Sequence, residues 1–199
     1  MLPLVDLLKE KGDEIFEKAD SVVLECDLDK VLVKKVIELS KKHGKKLFAL
    51  VSNMSLAVER RDLLKQFDCF ICNKQEAGMF FIDDYTENTR EEMRDILAEK
   101  VLQAQIPSMV VTLGGDGAVY ADMQGTNGHC PAIEVQVKDT TGAGDAFCAG
   151  VSIGLTYGKT LPEAIDIGSQ LAASVITSSE NVCPRFLPRE LGIDVEVED

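Results

Sequence analysis

The chain has 199 residues, 45% of them hydrophobic, and a formal net charge of -13, which fits one globular domain with a sizeable core. This acidic balance argues against binding to nucleic acid or to an anionic membrane, because phosphate groups require a basic footprint. No apolar run approaches the ~18 residues of a membrane span. The acids and lysines from Asp6 onward leave no apolar core for a signal peptide, so the expected location is the cytoplasm.

Short apolar runs alternate with helical patterns along the first half of the chain. Met1 to Ala19 has the spacing of one amphipathic helix, and SVVLEC is typical of a buried strand. LDKVLVKKVIELSKKHG predicts a helix that stops at Gly44. The strand KLFALV, the helix SLAVERRDLLKQF and the strand CFIC follow, and then a helix that begins with a Thr89–Glu92 capping box and the strand SMVVTL. This alternation predicts a parallel sheet with helices on both faces, a three-layer α/β/α fold.

The pattern changes in GGDGAVYADMQGTNGHCPAIEVQV, where glycine-rich turns separate short strands. These turns predict an antiparallel segment beside the mostly parallel sheet. Two helical stretches follow, GDAFCAGVSIGLTYG and LPEAIDIGSQLAASVITS. The acidic tail RELGIDVEVED is expected to be mostly solvated.

Cys69 and Cys72 form a C-x-x-C pair in FDCFICN. Zinc and redox sites also use such pairs, but residues three apart on a strand point to opposite faces. No second cysteine pair follows, and His43 and His129 are the only histidines. We therefore interpret the pair as part of a core strand and the six cysteines as reduced thiols.

The stretch VKDTTGAGDAFCAG places small residues and one carboxylate at the start of a predicted helix. Gly142, Ala143 and Gly144 let the backbone approach a ligand, and the first helical turn offers unpaired N–H groups. With the helix dipole, these groups predict a site for a phosphate. Asp145 suits a base that takes the proton from a hydroxyl as its oxygen attacks phosphorus. An acid in the first turn of a helix is also favoured for structural reasons alone.

DTTGAGDAFCAG resembles the C-terminal signature of the ribokinase-like (PfkB) carbohydrate kinase family over its whole length. The resemblance implies that Asp145 is the catalytic base and that the N–H groups of Gly142, Ala143 and Gly144 form the anion hole. Within the family, the segments SVVLECDL, GKKLFALVSNM and FDCFICNKQEA most resemble the sugar- and pseudouridine-kinase branch.

Two further motifs match the family in the expected order. NKQE fits its N-x-x-E pattern, which implies that Asn73 and Glu76 organise magnesium and phosphate. Without the resemblance, the same residues predict a helix cap. TLGGDGAVY is similar to the family's nucleotide-binding turn, and without the resemblance it predicts an ordinary hairpin with an Asp116–Gly117 turn. The resemblance implies that this turn contacts ATP through Thr112, Gly114 and Gly117.

The family often holds a potassium ion beside the anion hole. Asp139 and Thr141 fall on positions that the resemblance assigns to this ion, and Glu76 on a metal-binding position. In the other half of the ion site, SSENVCP has Glu180 and Asn181 where glycine and alanine are usual.

The resemblance covers the chain as a single domain, residues 1–199, but only the rear, nucleotide-binding portion of the family's fold. Family members are longer, and their front part supplies the first strands, a β-sheet lid and residues that grip the sugar. These N-terminal strands and the lid are expected to be absent here. We therefore expect either that a second copy or a partner chain covers the exposed edge of the sheet, or that this chain is a fragment of a longer protein.

Three functions compete. The first is a kinase that uses ATP and Mg²⁺, with K⁺ as a further candidate ion, to phosphorylate a hydroxyl of a sugar or of a nucleoside such as pseudouridine. The second is a non-catalytic nucleotide-binding or interaction protein derived from such a kinase. The third, a dinucleotide-binding oxidoreductase, fails because Phe147 stands where G-x-G-x-x-G needs its last glycine. The presence of Asp145, Asn73 and Glu76 favours the kinase. The absence of the N-terminal strands, the lid and the sugar-binding residues favours nucleotide binding without turnover.

Overall fold

The structure is a computed structural model that describes residues 4–25, 28–51, 61–178 and 186–193. The chain divides into two compact units, one of Met1–Gly114 and Ala118–His129, the other of Gly115–Gly117 and Cys130–Asp199. The elements in chain order are α1 (Leu4–Lys18), β1 (Ser21–Glu25), α2 (Lys30–Lys42), β2 (Lys46–Leu50), α3 (Arg61–Leu64), β3 (Cys69–Asn73), α4 (Lys74–Phe81), α5 (Arg90–Ala104), β4 (Ser108–Thr112), a 3₁₀ turn (Gly114–Asp116), β5 (Ala118–Asp122), β6 (Asn127–Cys130), α6 (Ala143–Thr156), α7 (Leu161–Ile176) and a second 3₁₀ turn (Pro188–Leu191).

The described strands form one six-stranded sheet in the order β1-β2-β3-β4-β5-β6. Strands β1 to β4 pair in parallel with their neighbours, and β4 pairs with β5 in antiparallel orientation. The register of β3 and β4 places Asn73 opposite Thr112. A mostly parallel sheet with an antiparallel segment is thus confirmed.

Side-chain caps fix the helix starts that the sequence indicates. Asp29 precedes α2, and its Oδ1 accepts a hydrogen bond from the Val31 N–H at 2.8 Å. At the start of α5, the Thr89 N–H donates to Glu92 Oε2 at 2.7 Å, which confirms the predicted capping box. The helix predicted over residues 55–67 is described only from residue 61, where α3 begins, and its earlier part lies outside the described residues. None of the helices in the described ranges is long and apolar enough to cross a membrane.

The core of the first unit lies around the parallel strands. Strand β3 is buried on both faces over its first four residues, as the interior of a parallel sheet requires. Cys69 and Cys72 lie within it, so the prediction of a core strand is confirmed. Burial raises the pKa of the Cys72 thiol well above its ordinary value, and the charge of Glu76 acts in the same direction. Such a thiol stays protonated and unreactive.

The second unit is built on the pair α6 and α7, and its apolar contacts extend into the tail. Phe186 and Leu191 pack against Ala146 and Leu171. Ile193 is 3% exposed. The described part of the tail agrees with the prediction of a mostly solvated segment at Arg189, Glu190 and Gly192, which are exposed, and departs from it at Leu191, which is half-buried, and at Ile193, which is buried. Residues 194–199 lie outside the described residues.

Ile82 ends α4 with a backbone conformation that disfavours its own side chain. Its φ is 57° and its ψ 52°, and the side chain is 77% exposed. A side chain in this left-handed region costs about 1–2 kcal/mol. We expect Ile82→Gly to raise the free energy of unfolding by about 1 kcal/mol, measured by urea denaturation.

A matched control for this variant lies on the same helix. Met79 is 47% exposed in the interior of α4, and Met79→Gly is expected to lower the free energy of unfolding by about 1 kcal/mol, because glycine disfavours a helix interior. A loss of stability in both variants would contradict the explanation given for Ile82.

Candidate active site

The first cluster of predicted site residues lies where two parallel strands end. Asn73 is the last residue of β3, Thr112 is the last residue of β4, and the two are partners in the sheet register. The carboxyl ends of parallel strands are where open α/β sheets bind ligands. The sheet therefore brings Asn73 and Thr112 together at an edge suited to binding.

Asn73 and Glu76 bond reciprocally at the start of α4. The Glu76 N–H donates to Asn73 Oδ1 at 2.8 Å, and the Asn73 N–H donates to Glu76 Oε2 at 2.7 Å. The N-x-x-E pattern is thus a helix cap, as the sequence predicts without the resemblance. The cap also holds the Glu76 carboxylate in one orientation at the end of β3.

The environment of Glu76 disfavours its ionised form. Partial burial raises the pKa of its carboxyl above the ordinary value, and the charge of Glu25 adds to this, while the hydrogen bond from the Asn73 N–H opposes both. Glu25 ends β1. A bound cation would relieve this cost, since an opposite charge favours the carboxylate.

The donor set around Glu76 fits Mg²⁺ better than a metal held by protein alone. Within residues 4–25, 28–51, 61–178 and 186–193, no three His, Cys, Asp or Glu side chains group as metal ligands. Mg²⁺ is usually bound by one or two carboxylates together with substrate phosphates and waters. A single oriented carboxylate is therefore an adequate protein contribution.

The segment between β4 and β5 is a tight connection built on glycines. Thr112 pairs with Ala118 across this hairpin, and Gly114–Asp116 form a 3₁₀ turn. Gly117 has a φ of 88°, and a Cβ there would overlap the backbone of residues 130–132. The predicted hairpin is thus present, but its connection is this 3₁₀ turn followed by Gly117 rather than a two-residue Asp116–Gly117 turn. The fold itself requires glycine at 117. Among the described residues, no atom lies within 4 Å of the position of a Cβ on Gly114, so they leave that face of the turn open.

The second cluster is the loop that leads into α6. Asp139 Oδ1 accepts hydrogen bonds from the Thr141 N–H at 2.9 Å and from Thr141 Oγ1 at 2.8 Å. These bonds hold the pKa of the Asp139 carboxyl below its ordinary value. Gly142 then turns the chain with a φ of 81° and precedes the helix without a side-chain cap. The loop is therefore shaped by its own side chains and ends in an uncapped helix.

The start of α6 offers two backbone donors and one carboxylate. The Ala143 N–H donates to the Thr140 carbonyl at 3.2 Å, so one of the three predicted anion-hole residues already has a partner. In the described part of the chain, no carbonyl or side chain accepts from the N–H of Gly144 or of Asp145. Both residues are exposed. Two free N–H groups at a helix start attract an anion.

The described residues give no packing reason for glycine at position 144. Its backbone is helical, and no atom of the described residues lies within 4 Å of where its Cβ would be. Glycine in a helix costs stability relative to alanine. A glycine at this position is what the predicted phosphate site needs, because it lets a ligand approach the backbone closely.

We expect Gly144→Ala to raise the free energy of unfolding by about 0.5 kcal/mol, because alanine favours the helix. The same change is expected to weaken nucleotide binding about tenfold, because it would place a methyl group where the predicted site holds the phosphate. Urea denaturation and calorimetry measure the two effects. Unchanged nucleotide affinity would contradict a phosphate at this turn.

The potassium site stays a prediction. Asp139 and Thr141 are bonded to each other, whereas Glu180 and Asn181 of the expected other half lie outside the described residues. The carboxylate of Glu25 near Glu76 was not predicted. Its only signal is an acid at the end of the first parallel strand, SVVLE.

The two clusters belong to different units. The first unit contains Asn73, Glu76, Thr112 and Gly114. The second unit contains Gly117 and the residues of the loop and helix start, which are Asp139, Thr141, Gly142, Ala143, Gly144 and Asp145. The profile described as "pfkB family carbohydrate kinase" matches residues 5–183. The chain belongs to this family.

Curated relatives of this pfkB family chain act on nucleosides and sugars. A guanosine-inosine kinase from Exiguobacterium acetylicum is 36% identical over 163 residues, which cover 81% of this chain and 53% of the relative. A pseudouridine kinase from Escherichia coli is 25% identical over 154 residues, which cover 76% of this chain and 47% of the relative. The chain thus spans about half the length of these two relatives.

The fold is also that of solved ribokinase-like structures. The ribokinase of Arabidopsis thaliana, solved with ribose and ATP, superposes with a TM-score of 0.75 at 22% identity, over 87% of this chain and 56% of that one. The expected three-layer ribokinase-like class is therefore confirmed.

Proposed function

We propose that this chain carries the phosphate-handling part of an ATP-dependent kinase that phosphorylates a hydroxyl group of a nucleoside or sugar. The observation that supports the proposal most is the start of α6, where two N–H groups without an acceptor among the described residues lie beside an exposed carboxylate. Phosphoryl transfer needs this combination, because a developing negative charge and a hydroxyl proton must be handled at one place.

The proposed step uses Asp145 as the base. A lone pair of the acceptor hydroxyl oxygen forms a bond to the γ-phosphorus of ATP, the bond from that phosphorus to the bridging oxygen breaks, and ADP leaves. The hydroxyl proton passes to the Asp145 carboxylate and from there to water. The N–H groups of Gly144 and Asp145 stabilise the negative charge on the phosphoryl oxygens, with Gly142 and Ala143 shaping the turn.

The first cluster has a complementary role in this proposal. Glu76 would hold Mg²⁺, which when bound neutralises phosphate charge, and Asn73 keeps the carboxylate oriented through the cap. Thr112 and Gly114, followed by Gly117, form the turn that would lie against the nucleotide. Local donors are needed because the chain as a whole is acidic.

A nucleoside is the proposed acceptor class. Support comes from the 36% identity to a guanosine-inosine kinase over 81% of this chain, compared with 25% to a pseudouridine kinase. Purine nucleosides are therefore the first acceptors to test, followed by pseudouridine and ribose.

We further propose that residues 1–199 are the rear portion of one kinase domain, and that strand β1 is covered either by further sequence of a longer protein or by another chain. Among the described strands β1 lies at the edge of the sheet, and Val23 on it is 51% exposed. A strand at the edge of a sheet that carries an exposed apolar side chain invites pairing. Further sequence of a longer protein, a second copy of this chain or a partner chain would supply it.

Calorimetric titration of the full chain with Mg-ATP tests the proposal. One-to-one binding that weakens when Mg²⁺ is omitted is the expected result. A chain that binds Mg-ATP but phosphorylates none of guanosine, inosine, pseudouridine and ribose would favour the alternative, a non-catalytic nucleotide-binding protein. A folded chain that binds no Mg-ATP would contradict both.

A further inference from the structure

Helix α7 holds the segment that enters the glycine turn. The carbonyl of Ile176, the last residue of α7, accepts hydrogen bonds from the N–H of Lys138 at 2.8 Å and of Asp139 at 3.4 Å. These two residues immediately precede the loop that leads to Gly142 and Asp145. One carbonyl at the end of α7 therefore fixes where the loop begins.

The same helix contacts the segment that leaves the turn. A Cβ on Gly168 of α7 would lie 2.7 Å from the carbonyl oxygen of Phe147 and 2.9 Å from Val151 Cγ2. A Cβ on Gly150 would lie 2.6 Å from the Cα of Gly168. The backbones of α6 and α7 are thus in direct contact two residues after Asp145, and a side chain on Gly168 must push the start of α6 away.

We infer that Gly168 and Ile176 are positioning residues for the anion hole and for Asp145, an inference that rests on the proposed function. Helix α7 contacts the chain before and after the turn, so it sets the spacing between the loop and the helix start. The free N–H groups of Gly144 and Asp145 lie between these two contacts. A misplacement of about 1 Å at a reacting group can cost ~10²-fold in rate.

The far end of the same helix pair supplies a matched control. A Cβ on Gly154 would lie 2.8 Å from both the Cα and the Cβ of Ala164. Gly154→Ala thus adds the same methyl group to the same helix pair, but more than two turns after Asp145. Gln170→Ala, at an exposed position on α7, controls for substitution on that helix without any packing change.

The test compares Gly168→Ala with Gly154→Ala in the full chain. We expect both to lower the midpoint of thermal unfolding, and only Gly168→Ala to shift the backbone amide resonances of Gly142, Gly144 and Asp145. With Mg-ATP and an acceptor nucleoside, Gly168→Ala is expected to lower kcat about 10–100-fold with little change in KM for ATP. Gly154→Ala and Gln170→Ala are expected to keep the parent kcat.

A second variant keeps the inference testable if Gly168→Ala does not fold. Lys138→Pro removes the N–H that donates to the Ile176 carbonyl and leaves the contact between α6 and α7 untouched. It is expected to shift the same amide resonances and to lower kcat.

Two results would overturn the inference. One is an equal loss of kcat in Gly168→Ala and Gly154→Ala in proportion to their loss of stability, since that would make Gly168 a packing residue only. The other is unchanged amide resonances at Gly142 to Asp145 in both Gly168→Ala and Lys138→Pro. If the parent chain binds nucleotide but transfers no phosphate, the proposed function fails, and the amide resonances alone decide whether α7 positions the turn.

Discussion

We expect Asp145→Asn to lower phosphoryl transfer by about 10²–10⁴-fold while leaving the affinity for Mg-ATP nearly unchanged. The substitution keeps the shape of the side chain and the free N–H groups, and removes only the group that accepts the proton. The side chain is exposed at the start of α6. The free energy of unfolding is therefore expected to fall only by the interaction of a first-turn acid with the helix dipole, about 0.3–1 kcal/mol. Steady-state kinetics and calorimetry separate the two effects.

Asp166→Asn is the control for this prediction. Asp166 is an exposed acid on α7 in the same unit as Asp145, so its substitution removes one negative charge without touching the turn. Parent-like kcat is expected for Asp166→Asn. A parent-like kcat for Asp145→Asn would show that its carboxylate is not the base.

We expect Glu76→Gln to lower phosphoryl transfer about 10–100-fold and to raise the Mg²⁺ concentration needed for half-maximal rate. The side-chain oxygen of Gln can still accept the Asn73 N–H, so the cap on α4 is retained. The variant therefore loses the charge that would hold Mg²⁺ and keeps the local structure. Rates measured over a range of Mg²⁺ concentrations test this.

The stability of Glu76→Gln without Mg²⁺ has a predicted dependence on pH. The pKa of Glu76 is raised above 4.5 in the folded chain, chiefly by burial, so the folded state holds this proton more tightly than the unfolded state. Its contribution to stability is then favourable at low pH and is lost as pH rises through the folded pKa. The free energy of unfolding of Glu76→Gln relative to the parent is therefore expected to grow as pH rises from 4.5.

Glu92, in the capping box of α5, provides a control because its pKa is shifted in the direction opposite to that of Glu76. Its pKa is lowered from 4.5 in the folded chain, chiefly by the hydrogen bond from the Thr89 N–H. The ionised carboxylate therefore stabilises the fold above this value, and the contribution is lost as pH falls through the folded pKa. Glu92→Gln is expected to be less stable than the parent at pH 7. The same sign of change in both variants would contradict the environment described for Glu76.

Local signals in the sequence predicted most of the elements and both clusters. The Thr89–Glu92 box marks a helix start because the contact spans only three residues, and the C-x-x-C strand is evident from its apolar run. The turn at Gly142 to Asp145 is also predictable, because its glycines and the acid in the first helical turn are neighbours in the sequence.

Contacts between distant segments could not be predicted from the sequence. The bond from the Lys138 N–H to the Ile176 carbonyl joins residues far apart in the chain and uses only main-chain atoms, so no side chain signals it. The charge of Glu25 on Glu76 depends on the order of the strands in the sheet. The burial of Ile193 is likewise not evident from the sequence, because the residues around it are acidic.

Transfer of the γ-phosphoryl group from labelled ATP tests the central claim most directly. The chain is incubated with Mg²⁺, ATP that carries ³²P at the γ position, and guanosine or inosine, and the products are separated by chromatography. Label is expected in a nucleoside monophosphate with the parent chain, and at least 100-fold less of it with Asp145→Asn. A chain that binds Mg-ATP but leaves all label in ATP or in inorganic phosphate, with every acceptor tested, would contradict this claim.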